Sequence, residues 1–181
     1  MLPCGHARRL WRRRRWQHHT AFLRWRQRRR RTDAQPHAGA YPHATTNSEC
    51  RGEPVFAARC VVDGSADNRG HGPWPYQSWG PDQRRDLWLK VDFGRSVEIS
   101  RLVLSIRADF PHDAWWRSAT LEFSDGSRQP IALTNDPVRQ TFDFAPRRVT
   151  WARLCDLAQP EPLGWAAISE MEVWGADMVG R

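Results

Sequence analysis

Two stretches of this 181-residue chain crowd aromatic rings and hydrogen-bonding groups together. The first is Gly70-His71-Gly72-Pro73-Trp74-Pro75-Tyr76-Gln77-Ser78-Trp79-Gly80, whose Gly and Pro content excludes regular structure. The second runs Arg107-Ala108-Asp109-Phe110-Pro111-His112-Asp113-Ala114-Trp115-Trp116-Arg117. A flat indole face covers the apolar C–H patch of a pyranose, and charged groups hydrogen-bond its hydroxyls. Arg107 offers a planar fork to two hydroxyls, and Asp109 accepts from another. Both sit where an apolar alternation stops, so they can project from a strand end. Adjacent Trp115 and Trp116 point to opposite sides of an extended segment, which leaves one of them outward. Each residue also has a plainer reading: Trp74 and Trp79 plug one end of the fold, and Arg107 and Asp109 pin their loop as an ion pair.

A third stretch, Asp63-Gly64-Ser65-Ala66-Asp67-Asn68, is a turn dense in oxygen donors of the kind Ca²⁺ prefers, though it lacks EF-hand spacing. An ordinary Asx-turn explains it as well. Catalytic signatures are missing: there is no Gly-x-Ser-x-Gly elbow, P-loop or His-Glu-x-x-His. The four cysteines, Cys4, Cys50, Cys60 and Cys155, form no Cys-x-x-Cys pair. Cys50 and Cys60 can equally be a bridge or two buried thiols.

These groups need strands to hold them. Leu87, Leu89, Val91 and Phe93 alternate with Trp88, Lys90 and Asp92, a period-2 strand that ends at Gly94. Val97 and Ile99 keep one phase; Leu102, Leu104 and Ile106 take the other, which predicts a bulge or bend near Ser100. Ala119, Leu121 and Phe123 form another strand, and Ser124-Asp125-Gly126-Ser127 turns it into a partner carrying Ile131 and Leu133. Phe142 and Phe144, Val149 and Trp151, then Met171 and Val173 complete the set. No segment keeps a helical period over three turns. The pattern predicts an all-β sandwich or jelly roll over residues 41–177. Trp88, Trp151 and Trp174 lie within strands and read as structural.

Charge divides the chain. Residues 1–40 hold twelve Arg and one acid, a net +11, whereas residues 41–181 net −3. The segment has two four-arginine blocks and no apolar stripe, so it is expected to be a disordered basic arm. Three readings stand for it: a polyanion- or nucleic-acid-binding arm, a solvated tail, or a stretch from a misplaced start. The mildly acidic body is not expected to bind nucleic acid. No run of about 18 apolar residues exists to span a membrane, and no signal-peptide core is visible in this frame.

The strand Trp88-Leu89-Lys90-Val91-Asp92-Phe93-Gly94 resembles the W-L-x-V-D-L-G element of the discoidin family, also called coagulation-factor type C domains. Ala57-Ala58-Arg59-Cys60-Val61-Val62-Asp63-Gly64 is similar to the family's opening element, and Ile168-Ser169-Glu170-Met171-Glu172-Val173-Trp174-Gly175 to its closing strand. Three elements in order over roughly residues 50–176 imply a galactose-binding-like β-sandwich, in a divergent bacterial-type branch. The resemblance implies a non-catalytic, monomeric ligand-binding module of a secreted or cell-surface kind. It also implies a structural Ca²⁺ held by Asp63 and Glu170, with no other cofactor.

The expected function is therefore a carbohydrate-binding module for oligo- or polysaccharides. Its expected site residues are His71, Trp74, Trp79, Arg107, Asp109, Trp115 and Trp116. A shallow site with few anchors predicts affinities from micromolar to millimolar. The alternatives are a protein- or polyanion-interaction module aided by the arm, and an accessory domain of a carbohydrate-active enzyme.

Overall fold

A computed structural model describes residues 41–70, 72–108 and 114–177. The basic segment 1–40, the tail 178–181, and two expected site residues, His71 and Asp109, lie outside the described residues.

Six strands form among the described residues: β1 (His43–Thr46), β2 (Leu89–Arg107), β3 (Ser118–Phe123), β4 (Arg128–Ala132), β5 (Gln140–Ala158) and β6 (Ala167–Asp177). Every pairing is antiparallel, in the order β1-β2-β5-β3-β4, with β6 also on β2. Before β2 the chain makes three short 3-10 turns, Cys50–Gly52, Pro54–Phe56 and Ala58–Val62.

The segments read as separate strands on either side of Gly94 are one 19-residue strand, β2. Its register slips between Ile99 and Arg101 against both β5 and β6. Against β6, Ile99 faces Gly175 and Arg101 faces Trp174, so Ser100 is the extra residue of a bulge, as the phase change predicted. One added residue reverses the side-chain alternation. Leu89, Val91, Phe93, Val97 and Ile99 before it, and Leu102, Leu104 and Ile106 after it, all reach the same core. β5 likewise joins the Phe142/Phe144 and Val149/Trp151 segments.

β2 changes neighbours along its length. It pairs with β1 over Leu89–Asp92 and with β6 from Val97 onward. Strands that bend and switch partners at bulges make the corners of a sandwich. The β3–β4 hairpin closes through Ser124–Ser127: the Gly126 N–H donates to the Phe123 carbonyl at 2.9 Å, with Gly126 at φ 83°. Cys50, Cys60 and Cys155 are free thiols, so of the two readings for Cys50 and Cys60 the structure has the unbridged one.

β6 approaches the bulge so closely that a Cβ on Gly175 would lie 1.9 Å from the Glu98 carbonyl oxygen and 2.7 Å from Ile99 Cα. Both obstacles are backbone, so the strands must separate to admit a side chain. Gly175→Ala is expected to cost about 2 kcal/mol or more in urea unfolding. A midpoint equal to wild type would contradict this packing.

Candidate functional site

A cavity of about 570 Å³ opens at the end of the sandwich where β2 finishes and β6 begins. That volume suits a small ligand. Its walls come from the first two 3-10 turns, from Pro73, from Gly80 and Pro81, and from Arg107 and the Trp165–Ala167 segment. Backbone hydrogen bonds tie these pieces together. The Cys50 N–H donates to the Gly80 carbonyl at 2.8 Å, the Ser78 N–H to Val55 at 3.1 Å and the Gly80 N–H to Phe56 at 3.2 Å. Phe56 packs against Gly80, where a Cβ would come within 3.0 Å of the ring. Ala114 donates its N–H to the Trp165 carbonyl at 2.7 Å, holding the far wall.

Arg107, the last residue of β2, is 5% exposed, pairs in register with Ala167 and lines the cavity beside it. Alanines at 166 and 167 leave the space that larger side chains would fill. Trp165 is 43% exposed at the outer wall. The cavity thus joins a cation, an indole and an apolar wall that includes Val55 and Phe56.

The expected site residues divide. Arg107 lines the cavity. Trp74 is 67% exposed and directly follows Pro73, which lines it. Trp115 is half-buried and packs against the core.

Trp79 and Trp116 are not available as sugar platforms, and this corrects the expectation for both. Trp79 is fully buried and Trp116 is 3% exposed; their rings stack at 5.6 Å and 19°. The reason is backbone pairing. Trp79 forms an isolated β-bridge with Ile168 of β6, which turns its indole inward, and its Nε1–H donates to the Ser48 carbonyl at 3.0 Å. They plug the end of the sandwich.

Composition did not single out Arg51, Glu53, Val55 and Phe56, because short 3-10 turns carry no periodic signal. The one available hint was the Gly- and Pro-punctuated run Cys50-Arg51-Gly52-Glu53-Pro54. Arg51 has φ 53°, ψ 12°, left-handed backbone that costs a non-glycine residue about 1 kcal/mol.

The Asp63 turn is an Asx-turn: Asp63 Oδ1 accepts the Ser65 N–H at 2.8 Å, and Oδ2 accepts from Gln77 Nε2 at 3.4 Å. Glu170 of β6 is 7% exposed, and its Oε2 accepts the Gly64 N–H at 3.2 Å. Burial, and then the Asp63 charge, push the Glu170 carboxyl up to about 8. Burial raises Asp63 to about 6 against the lowering effect of the Ser65 N–H. Two raised carboxyls with only oxygen donors match the chemistry of a hard divalent cation. Among the described residues no three His, Cys, Asp or Glu side chains gather, so any further donors there would be neutral oxygens.

The sandwich, its partner-switching β2 and its end cavity belong to the galactose-binding-like class of folds. Among solved structures, the chain is similar to the family 32 carbohydrate-binding module of C. perfringens NanJ in complex with galactose. The identity is 17% over 74% of this chain and 93% of that one, at a TM-score of 0.56. It is also similar to the lectin domain of lectinolysin in complex with Lewis b antigen (16% identity, 77% and 96% covered, TM-score 0.59). Chitosan-binding module 1 of a Paenibacillus sp. IK-5 chitosanase/glucanase is 22% identical, with 74% and 95% covered and a TM-score of 0.55. No family model matches the chain, and no curated protein is similar to it in sequence.

The raised carboxyls set a pH dependence. Unfolded, these groups ionise near 4.5 and 3.8; folded, they hold their protons up to about 8 and about 6. The folded state binds more protons between those limits, so stability in chelator falls as pH rises from 5 to 8. Asp67, Asp86, Glu122 and Asp125 are shifted down and contribute the opposite slope only in acid, below this window. Glu170→Gln should flatten the fall and raise the melting temperature at pH 8. A wild-type melting temperature constant from pH 5 to 8 would contradict the assignment.

Proposed function

We propose that this chain is a non-catalytic glycan-binding module whose ligand enters the cavity at the end of the sandwich. The observation that carries the reading is the joint lining of that cavity by Arg107 and Trp165. Trp165 covers the apolar face of a pyranose, Phe56 and Val55 take the ring edge, and Arg107 donates to hydroxyls. Trp74, one residue beyond the lining Pro73, stacks a further sugar unit outside the cavity. His71 and Asp109 remain part of the proposal through their neighbours Gly72, Pro73 and Arg107. The likeness in fold to modules solved with galactose and with Lewis b antigen supports the class of ligand. It equally supports a binding module over an enzyme. No helix among the described residues is long and apolar enough to cross a membrane.

The second part of the proposal is a structural Ca²⁺ on Asp63 and Glu170, completed by loop carbonyls. Bound there, it neutralises two carboxyls that burial otherwise forces toward protonation, and fastens the Asp63 turn to β6.

A glycan array probed with the full chain tests the first part. Binding in the micromolar-to-millimolar range is expected, with Trp165→Ala weakening it about tenfold or more while the melting temperature stays near wild type. Silence across the array by a protein with a folded circular-dichroism spectrum would overturn it. For the metal, isothermal titration of Ca²⁺ into chelator-stripped protein should give heat at pH 7.5 that Asp63→Asn abolishes. Neither heat nor a melting shift would end the calcium proposal.

A further inference from the structure

Arg51 occupies a position that its own stability does not explain. The backbone is left-handed at Arg51 (φ 53°) and again at Gly52 (φ 63°), so the turn would be satisfied by glycine at both places. A Cβ at Gly52 meets nothing within 4 Å, so the turn lies open to solvent. The Arg51 side chain is 75% exposed and gains little from packing. Its ion pair with Glu53, Nη1 to Oε1 at 3.5 Å, is also exposed (43% for Glu53), and such pairs add little to stability. The other described non-glycine residue with positive φ is Asp156, at 50°. That one is accounted for: aspartate tolerates this conformation better than most, and it is paired with Arg128. Arg51 has only its exposed pair with Glu53 and none of the tolerance of an aspartate.

What Arg51 does have is position. Arg51 and Glu53 both line the end cavity, as do Trp165 and Arg107. Residues held in unfavourable backbone conformations cluster at ligand-binding sites, because contact with the ligand selects them against their cost. Hydrogen bonds fix the turn that carries the pair: the Gly52 N–H donates to the Glu49 carbonyl at 3.0 Å, and the Glu53 N–H to Cys50 at 3.0 Å. The Glu49 carboxylate in turn accepts the Ala58 N–H at 2.8 Å, tying this turn to the next.

Building on the glycan reading above, we propose that Arg51 and Glu53 form the specificity-determining lip of the cavity. The Arg51 fork donates to a pair of adjacent ring hydroxyls, and the Glu53 carboxylate accepts from one of them. This pair selects sugars with vicinal hydroxyls presented away from the face resting on Trp165. The left-handed Arg51 is retained for binding at the expense of stability.

Arg51→Gly separates these contributions, since glycine fits the turn and removes only the side chain. Full-length wild type and R51G are compared by thermal melting, by glycan array, and by titration with the strongest array glycan. R51G should melt at or above the wild-type temperature and bind that glycan about tenfold more weakly. A melting temperature lower by more than about 3 °C would show Arg51 to be structural and overturn the inference. So would an affinity within about twofold of wild type. An array silent for wild type would overturn the glycan reading itself, and this one with it.

Discussion

One extra residue in β2 governs the geometry of this protein. Without the bulge at Ser100, the apolar sets Leu89-Val91-Phe93 and Leu102-Leu104-Ile106 would face opposite sides of the sheet. With it, a single long strand buries both sets in one core and exchanges β1 for β6 partway along. That exchange carries β2 to the sandwich end, where Arg107 meets Ala167. The cavity, the buried guanidinium and the start of β6 are all placed by this strand. The close approach of Gly175 to Glu98 shows how little slack the arrangement has.

At the same end, tryptophans serve two opposite purposes. Trp79 and Trp116 stack inside and seal the core, with the Trp79 indole N–H satisfied by Ser48. Trp165 and Trp74 stay outward, at 43% and 67% exposure. Sealing the end from within lets the surface above it remain an open depression instead of collapsing into the core. Rigid walls follow from the backbone bonds that lock the 3-10 turns onto Gly80 and Ser78. A preformed cavity of this kind loses less freedom when a ligand binds.

Much of the fold was legible because period-2 alternation is a direct record of which face is buried. The β2 strand, its bulge and the β3–β4 turn all came from that pattern and from Ser124-Asp125-Gly126-Ser127. Arg107 was read as a strand-end residue for the same reason: it stands where the alternation runs out, and it is the last residue of β2. Of the two readings open for Trp79 the plug is the one the structure has, because it pairs with Ile168, a distant residue that a Gly- and Pro-rich loop does not announce; Trp116 is the inward member of its pair. The Arg51–Phe56 wall was overlooked since 3-10 turns repeat over too few residues to show a period, and β1 is only four residues long. The strongest compositional signal, the +11 of residues 1–40, bears on none of the described structure.

The central claim is that a glycan binds at the end cavity and nowhere else on the sandwich. Indole N–H resonances of the ¹⁵N-labelled protein, followed while the strongest array glycan is added, test it directly because every tryptophan reports its own position. The account predicts saturable shifts of the Trp165 indole, with Trp74 following for longer glycans and buried Trp79 unmoved. Shifts centred on Trp151, on the face where Lys90 and Arg153 flank its ring, would place the ligand elsewhere and contradict it.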